Sequence, residues 1–252
     1  MKPRKTEHPI LFSTPMVQAI LALIKNMTRR TKGLEIVNQD PDSFRYINKS
    51  NDDGVDFPIP ADDKFTDGIW YCFQKRNNNG VDYILQCPFG QPGDKLWVKE
   101  MYYAYGYWME DGKTKTGKKK QSFVDVTGTD FVYKYQENKP ERLQTGKSYK
   151  MGWYMRNSLF MPKSAARLWF EITNVRVERL QDISHDDAKL EGVKHVIDKI
   201  TGYCGYDYIT GGYNLLTSPY NGFRSLWKKI NGEESWNANP WVWVIEFKRI
   251  DN

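Results

Sequence analysis

The longest strand pattern in the chain runs from Leu168 to Leu180. Trp169, Glu171, Thr173, Val175 and Val177 occupy one parity, and Phe170, Ile172, Arg176 and Glu178 the other. Successive strand side chains point to opposite faces, so apolar residues on both parities predict a strand covered on both sides before its polar end. Such a strand needs neighbours in a sheet, and the sequence offers several. Ile69 to Phe73 and Val81 to Leu85 flank the turn Asn77-Asn78-Asn79-Gly80 and predict a hairpin. Leu96 to Glu100 follows a Gly93-Asp94 turn of the kind found at a barrel corner. Trp241, Trp243, Ile245 and Phe247 alternate along a closing strand, where they predict core filling in preference to a binding platform.

Three helices are expected between these strands. The first is capped by Thr14, has Pro15 at its first position and carries Met16, Val17, Ile20, Leu21 and Ile24 at helical spacing. If its last turn persists, Lys25 and Thr28 share one face, with Arg29 and Arg30 beside them. The second opens at Ser184-His185-Asp186-Asp187 and ends at Glu191-Gly192, and the third carries Phe223, Leu226, Trp227 and Ile230 and stops at Asn231-Gly232. Asn38 to Asp67, with Asp52, Asp53 and Asp56, predicts a long solvated loop without the ligand set of a calcium loop. Tyr203 to Tyr220 predicts a second loop, rich in Gly and Tyr. Lys113 to Lys120 predicts a lysine-rich hairpin tip, which as a functional element makes phosphate-backbone contacts.

Charge and composition narrow the function classes. The chain has 252 residues, a formal charge of +6 and 9 Trp with 16 Tyr, which favours polyanionic partners and suits base stacking as well as core filling. The length fits one elaborated domain or two small ones. Cys72, Cys87 and Cys204 form no C-x-x-C pair, which points to a reducing cytoplasm, and no apolar run is long enough for a membrane span. His8, His185 and His195 share no metal-ligand spacing, so no metal and no cofactor is expected. No glycine pattern of the phosphate-binding kind occurs in the Cys87 to Asp94 turn.

Two readings of Lys25 to Arg30 stay open at this level. An amine near a hydroxyl is a nucleophile-and-base pair, whereas a basic helix end simply complements the helix dipole in water. Glu191 has a similar ambiguity, because a helix C-terminus disfavours a carboxylate and an exposed one there needs no role.

A set of short motifs in fixed order adds to this. Pro9-Ile10-Leu11-Phe12-Ser13 with Lys25 to Arg30, Cys87-Pro88 through Lys99-Glu100, Met161-Pro162 with Arg167, Val175 to Ser184, Glu191-Gly192, Phe223 to Trp227 and Asn239 to Trp243 together resemble the large phage- and prophage-encoded ASCH-domain proteins of the PUA-like superfamily. The resemblance implies an α+β fold, a PUA-like mixed β-barrel with flanking helices. It implies a single elaborated domain over 1–252, with insertions at 38–67, 104–150 and 201–220. At the chemically interesting points the chain is similar to 4-acetylcytidine amidohydrolases. Their catalytic lysine, threonine and glutamate fall on Lys25, Thr28 and Glu191, and a following arginine falls on Arg30, with Arg29 beside it as a further substrate contact. Where those enzymes commonly carry Gly-Arg and Thr around the lysine, this chain has Leu23-Ile24 and Asn26.

The activity implied is removal of an acyl group from the exocyclic amine of a modified cytosine nucleoside or base. Thr28 is then the nucleophile, Lys25 its base and Glu191 the proton donor to the leaving amine. Two rivals are a non-catalytic module that binds RNA or a modified base through the same pocket, and a ribonuclease, which the lack of a histidine pair does little to support.

Overall fold

The computed structural model describes residues 6–49, 68–77, 82–128, 131–198, 202–214 and 218–251. Asp52, Asp53, Asp56 and the Asn78-Asn79-Gly80 turn lie outside them. In chain order the strands are β1 (Glu7–Leu11), β2 (Met27–Arg30), β3 (Phe44–Lys49), β4 (Trp70–Lys75), β5 (Tyr83–Gln86), β6 (Lys95–Lys99) and β7 (Tyr102–Lys113). There follow β8 (Lys119–Asp125), β9 (Gly152–Arg156), β10 (Trp169–Arg179), β11 (His195–Asp198), β12 (Gly202–Asp207), β13 (Gly212–Asn214) and β14 (Trp241–Ile250). The helices are α1 (Thr14–Leu21), α2 (His185–Leu190), α3 (Pro219–Asn231) and α4 (Glu233–Asn237). The chain is therefore α+β and mostly strand. One sheet has the order β1-β6-β10-β14-β2, and three others are three-stranded: β3-β4-β5, β11-β12-β13 and β8-β7-β9. Among the described residues these sheets are open, and none closes into a barrel.

The chain divides into two compact units, Met1–His8 with Gln18–Leu96 and Phe170–Asn252, and Pro9–Val17 with Trp97–Trp169. In the first unit the core has two sides. Val242, Val244 and Met27 pack with Leu180, Ile183, Ala188, Val193, Phe223, Trp227 and Trp236 beneath α2, α3 and α4. On the alternate parity of β14, Trp243 meets Tyr71 edge-on at 4.8 Å and Trp241 meets Phe73 at 5.5 Å. The closing strand's tryptophans are thus core, as their alternation predicts, and Val242 and Val244 make its other parity equally buried.

The helices covering this core form for readable reasons. Ser218 caps α3 by accepting from the Asn221 amide, Pro219 occupies the first turn, and Gly232 ends the helix at φ +89°. Its inner face buries Phe223 and Trp227, each contributing about 1.5–3 kcal/mol by removal from water. Ser184 likewise caps α2 by accepting from the Asp187 amide.

Three expectations change. Phe44–Lys49, expected within a loop, is β3, paired antiparallel with β4; Phe44 and Tyr46 alternate with Arg45, the half-buried strand pattern that the surrounding polar residues mask. The Gly- and Tyr-rich stretch is also a hairpin, with Tyr206 opposite Tyr213 and β12 paired on its other edge to β11. Finally, Lys25 to Arg30 does not continue α1, which stops at Leu21; Met27–Arg30 is a strand against β14, with Thr28 opposite Ile245 and Arg29 opposite Val244. In the second unit the lysine run is the tip of the β7–β8 hairpin, closed by the Thr114 amide donating to the Lys118 carbonyl at 2.7 Å.

Candidate active site

The turn out of α1 places Lys25. The Ile24 amide donates to the Ala19 carbonyl and the Leu23 amide to the Ile20 carbonyl, both at 3.0 Å. That is a Schellman ending, whose left-handed position is filled by Leu23 at φ +59° in place of the usual glycine. The chain leaves the helix abruptly, and Lys25 pairs with Glu191 across an isolated antiparallel bridge, supported by the Asn26 amide donating to the Leu190 carbonyl at 3.1 Å. Glu191 arrives at the C-terminal end of α2. Gly192 follows it at φ +82°, where an added Cβ would lie 2.8 Å from the Lys25 Cβ and 3.0 Å from the Ala19 Cβ. Glycine is therefore required there twice over, for its backbone conformation and for the close approach of the two segments.

The amine of Lys25 is fully buried and donates to three acceptors: Glu191 Oε2 at 2.7 Å, the Glu191 carbonyl at 2.8 Å and the Met27 carbonyl at 2.7 Å. Burial holds this amine below the usual lysine range. The charge and hydrogen bond of Glu191 pull the other way, and Arg30 and Arg29 add to the downward shift. The other carboxylate oxygen of Glu191 accepts from Arg29 Nη1 at 3.2 Å.

Arg29 is the hub of a larger network. Its Nε donates to Glu178 Oε1 at 2.9 Å and its Nη2 to Asp187 Oδ2 at 2.9 Å, with the guanidinium carbon 5.7 Å from the Phe223 ring centroid. Beyond these carboxylates stands Arg176, which donates to Glu178 Oε2 at 3.2 Å and pairs with Asp187 and Glu246. Asn174 Nδ2 donates to the same Glu246 oxygen, Oε1, at 3.2 Å. Cations and carboxylates thus alternate from Lys25 through Glu191, Arg29, Glu178 and Asp187, and Arg176 to Glu246. Burial disfavours the charge on Arg29, but Glu191, Glu178 and Asp187 outweigh it and hold the guanidinium more firmly protonated than usual.

The structure brings Lys25, Glu191 and Arg29 together. Thr28 is buried on β2, but strand alternation turns it, with Arg30, to the parity opposite Met27 and Arg29. Among the described residues its hydroxyl has no hydrogen bond to Lys25 or Glu191. Arg29, expected as a substrate contact, is committed to three carboxylates and has no exposed side chain to offer. Glu178, Asp187, Arg176 and Glu246 join the site without having been singled out for it. Their signal was present in β10, where Arg176 and Glu178 share the parity of buried Phe170 and Ile172; charges on such a face need partners.

Among the described residues no group of three His, Cys, Asp or Glu side chains is arranged to hold a metal ion, and no helix is long and apolar enough to cross a membrane. An alternating buried network with a proton between Lys25 and Glu191 is suited to proton transfer at a fixed point. Comparison of the chain with protein-family models, with curated proteins and with solved structures gives no match.

Proposed function

We propose that the chain is an amidohydrolase that removes an acyl group from the exocyclic amine of a modified cytosine nucleoside or base. One observation carries the reading. Lys25 and Glu191, 166 residues apart, are the pair to which the ASCH resemblance gives complementary proton-transfer roles, and they meet in a buried contact of 2.7 Å. In this reading the sheet containing β10, β14 and β2, with α1 to α3, is an opened form of the PUA-like fold, and the remaining sheets are elaborations of it.

The roles follow from the chemistry. Lys25, with its proton affinity lowered by burial, has the role of taking the hydroxyl proton of Thr28 as the hydroxyl oxygen attacks the acyl carbon, a step that requires the Thr28 side chain to turn toward the Lys25 amine from its present face of β2. The bond from that carbon to the cytosine nitrogen breaks, and Glu191 carries the proton to the departing amine, which leaves poorly as an anion. Water then cleaves the Thr28 ester and releases the carboxylic acid. Arg29 acts through Glu191 as a positioning residue, and the resemblance gives substrate contact to Arg30, on the parity of Thr28.

Mass spectrometry of the purified protein with 4-acetylcytidine and bulkier 4-acylcytosines tests this. Cytidine or cytosine is expected to form, with turnover falling about a hundredfold or more in Lys25→Ala and Glu191→Gln. The rate should rise with pH, because the neutral amine is the base, and the rising limb should lie below the ordinary lysine value of 10.5. No product from any substrate, or undiminished turnover in both variants with native circular dichroism, overturns the reading. Loss of activity in those two with full activity in Thr28→Ala assigns the nucleophile to water instead.

A further inference from the structure

The second unit carries the positive charge of the whole molecule. Between Trp97 and Trp169 fourteen Lys and Arg stand against seven Asp and Glu, and Pro9–Val17 has no charged residue, so this unit's excess of seven exceeds the net +6 of the chain. The lysines at the β7–β8 tip are exposed, and Lys119 and Lys120 pair with the exposed Glu110 and Asp111. Such pairs open readily to a stronger anion.

The sheet β8-β7-β9 has two unlike faces. One parity of β7 contributes Tyr102 and Ala104 to a closed cluster with Tyr135, Met161 and Ala165. The other parity places Tyr105 opposite Trp153 of β9, and Tyr103 opposite Met155. Phe131 stacks on Tyr105 with centroids 3.9 Å apart, Tyr105 meets Trp153 at 5.3 Å, and Lys134 Nζ stands 5.1 Å from the Trp153 centroid. This second face is open in part: Tyr103 is buried, Tyr105 and Trp153 are half-buried, and Met155 and Phe131 are 59% and 37% exposed. Rings from neighbouring strands on one sheet face, with a cation beside them, match the stacking platforms on which successive unpaired bases lie.

We propose that this face, with the lysine-rich tip, binds single-stranded nucleic acid: bases stack on Phe131 and Trp153, which Tyr105 supports from beneath Phe131, and phosphates meet Lys134 and the tip lysines. Charge complementarity selects a polyanion, and exposed rings select unpaired bases over a duplex, whose bases are already stacked. The proposal shares no residue with the Lys25 site, so it stands or falls apart from the deacylation reading.

The test is fluorescence anisotropy of the full chain with labelled oligouridylate, oligothymidylate and a mixed-sequence duplex over a range of salt. Both single strands are expected to bind more tightly than the duplex, with affinity falling log-linearly in salt. A ribose-dependent difference between them names RNA, and equal binding names a sugar-indifferent site. Phe131→Ala and Trp153→Ala should each weaken single-strand binding about tenfold and leave the salt slope unchanged. Trp153→Phe keeps a ring and the fold, so it should retain binding while losing part of the tryptophan quenching that oligouridylate causes. Replacing Lys113, Lys115 and Lys118 by Gln should flatten the salt slope by about 0.7 for each phosphate that is no longer neutralised. No binding at low salt, preference for the duplex, or undiminished affinity in both folded alanine variants overturns the proposal. So does a concentration-dependent dimer that Met155→Glu dissociates, which assigns the face to a second copy.

Discussion

Arg29 in the first unit and Arg156 in the second are both withdrawn from open solvent, but they are held by opposite means. Arg29 is wrapped by Glu178, Asp187 and Glu191, with no exposed side-chain surface. Arg156 lies against rings, its guanidinium carbon 4.8 Å from the Trp108 centroid and 4.2 Å from that of Phe123. A carboxylate-wrapped cation and its partners compensate one another's desolvation, so removing it strands several charges at once. A ring-wrapped cation leaves behind apolar surface that tolerates an apolar replacement. The first arrangement fixes one geometry. The second holds a cation against rings, with the Tyr102 hydroxyl as a neutral polar partner in place of a buried counter-charge.

The same substitution at both positions exposes the difference. Arg29→Met should destabilise the protein by about 3–5 kcal/mol, because Glu191 and its neighbours lose their buried counter-charge. Arg156→Met should cost only about 0.5–2 kcal/mol, the range of a cation–π contact, since the methionine fills the slot between the rings. Urea midpoints with an unchanged slope provide the measurement. Equal losses at the two positions would erase the distinction between the units.

Backbone tolerance sharpens the comparison further. Gly192 and Gly117 both have positive φ, +82° and +80°. A Cβ on Gly192 would collide with Lys25 and Ala19, whereas one on Gly117, at the β7–β8 tip, meets nothing within 4 Å. Gly117→Ala should therefore cost about 1 kcal/mol, the left-handed penalty alone. Gly192→Ala adds the overpacking of a closed contact and should cost about 2–4 kcal/mol in total. It should also reduce turnover by moving Lys25 relative to Glu191, an effect that Gly117→Ala lacks. A Gly192→Ala protein as stable as Gly117→Ala would show that the Lys25–Glu191 bridge yields and that the charged centre is not rigid.

Much of the architecture was legible where one rule of local chemistry dominated. The period-two run of β10, the alternating aromatics of β14 and the caps of α2 and α3 all led to elements of the right type, with ends shifted by a few residues. The misreadings arose where the usual local marker was missing or contradicted. Gly and Tyr density around 203–214 suggested a loop, yet pairing to β11 makes it a hairpin, because tertiary partners decide strand formation more than propensity does. Lys25 and Glu191 were singled out through the resemblance, but nothing in the sequence shows that they touch. Arg29 read as a substrate contact or as part of a solvated basic run, because its partners Glu178, Asp187 and Glu191 lie 149, 158 and 162 residues away. No window on the sequence joins groups so far apart.

The end of α1 is the clearest case of a missing marker, and it supplies the smallest effect. Apolar periodicity runs on through Ile24, and no glycine announces a stop, so the sequence reads as a helix continuing toward Lys25. The structure stops it anyway, by holding Leu23 at φ +59° with 81% of its surface exposed. A left-handed leucine costs about 1–2 kcal/mol, and this one recovers almost nothing by burial. What holds it is the pair of Schellman hydrogen bonds and the bridge that follows, where Lys25 meets Glu191. Leu23→Gly relieves the strain but loosens the unfolded chain, so the net gain should be about 0.5–1 kcal/mol, seen as a higher urea midpoint with an unchanged slope. Arg29 and Gly192 hold the site by contacts that resist change, whereas Leu23 carries strain imposed by that same fixed geometry. If Leu23→Gly instead destabilises the protein, the turn is not under strain, and the bridge at Lys25 follows from the helix end without imposing it.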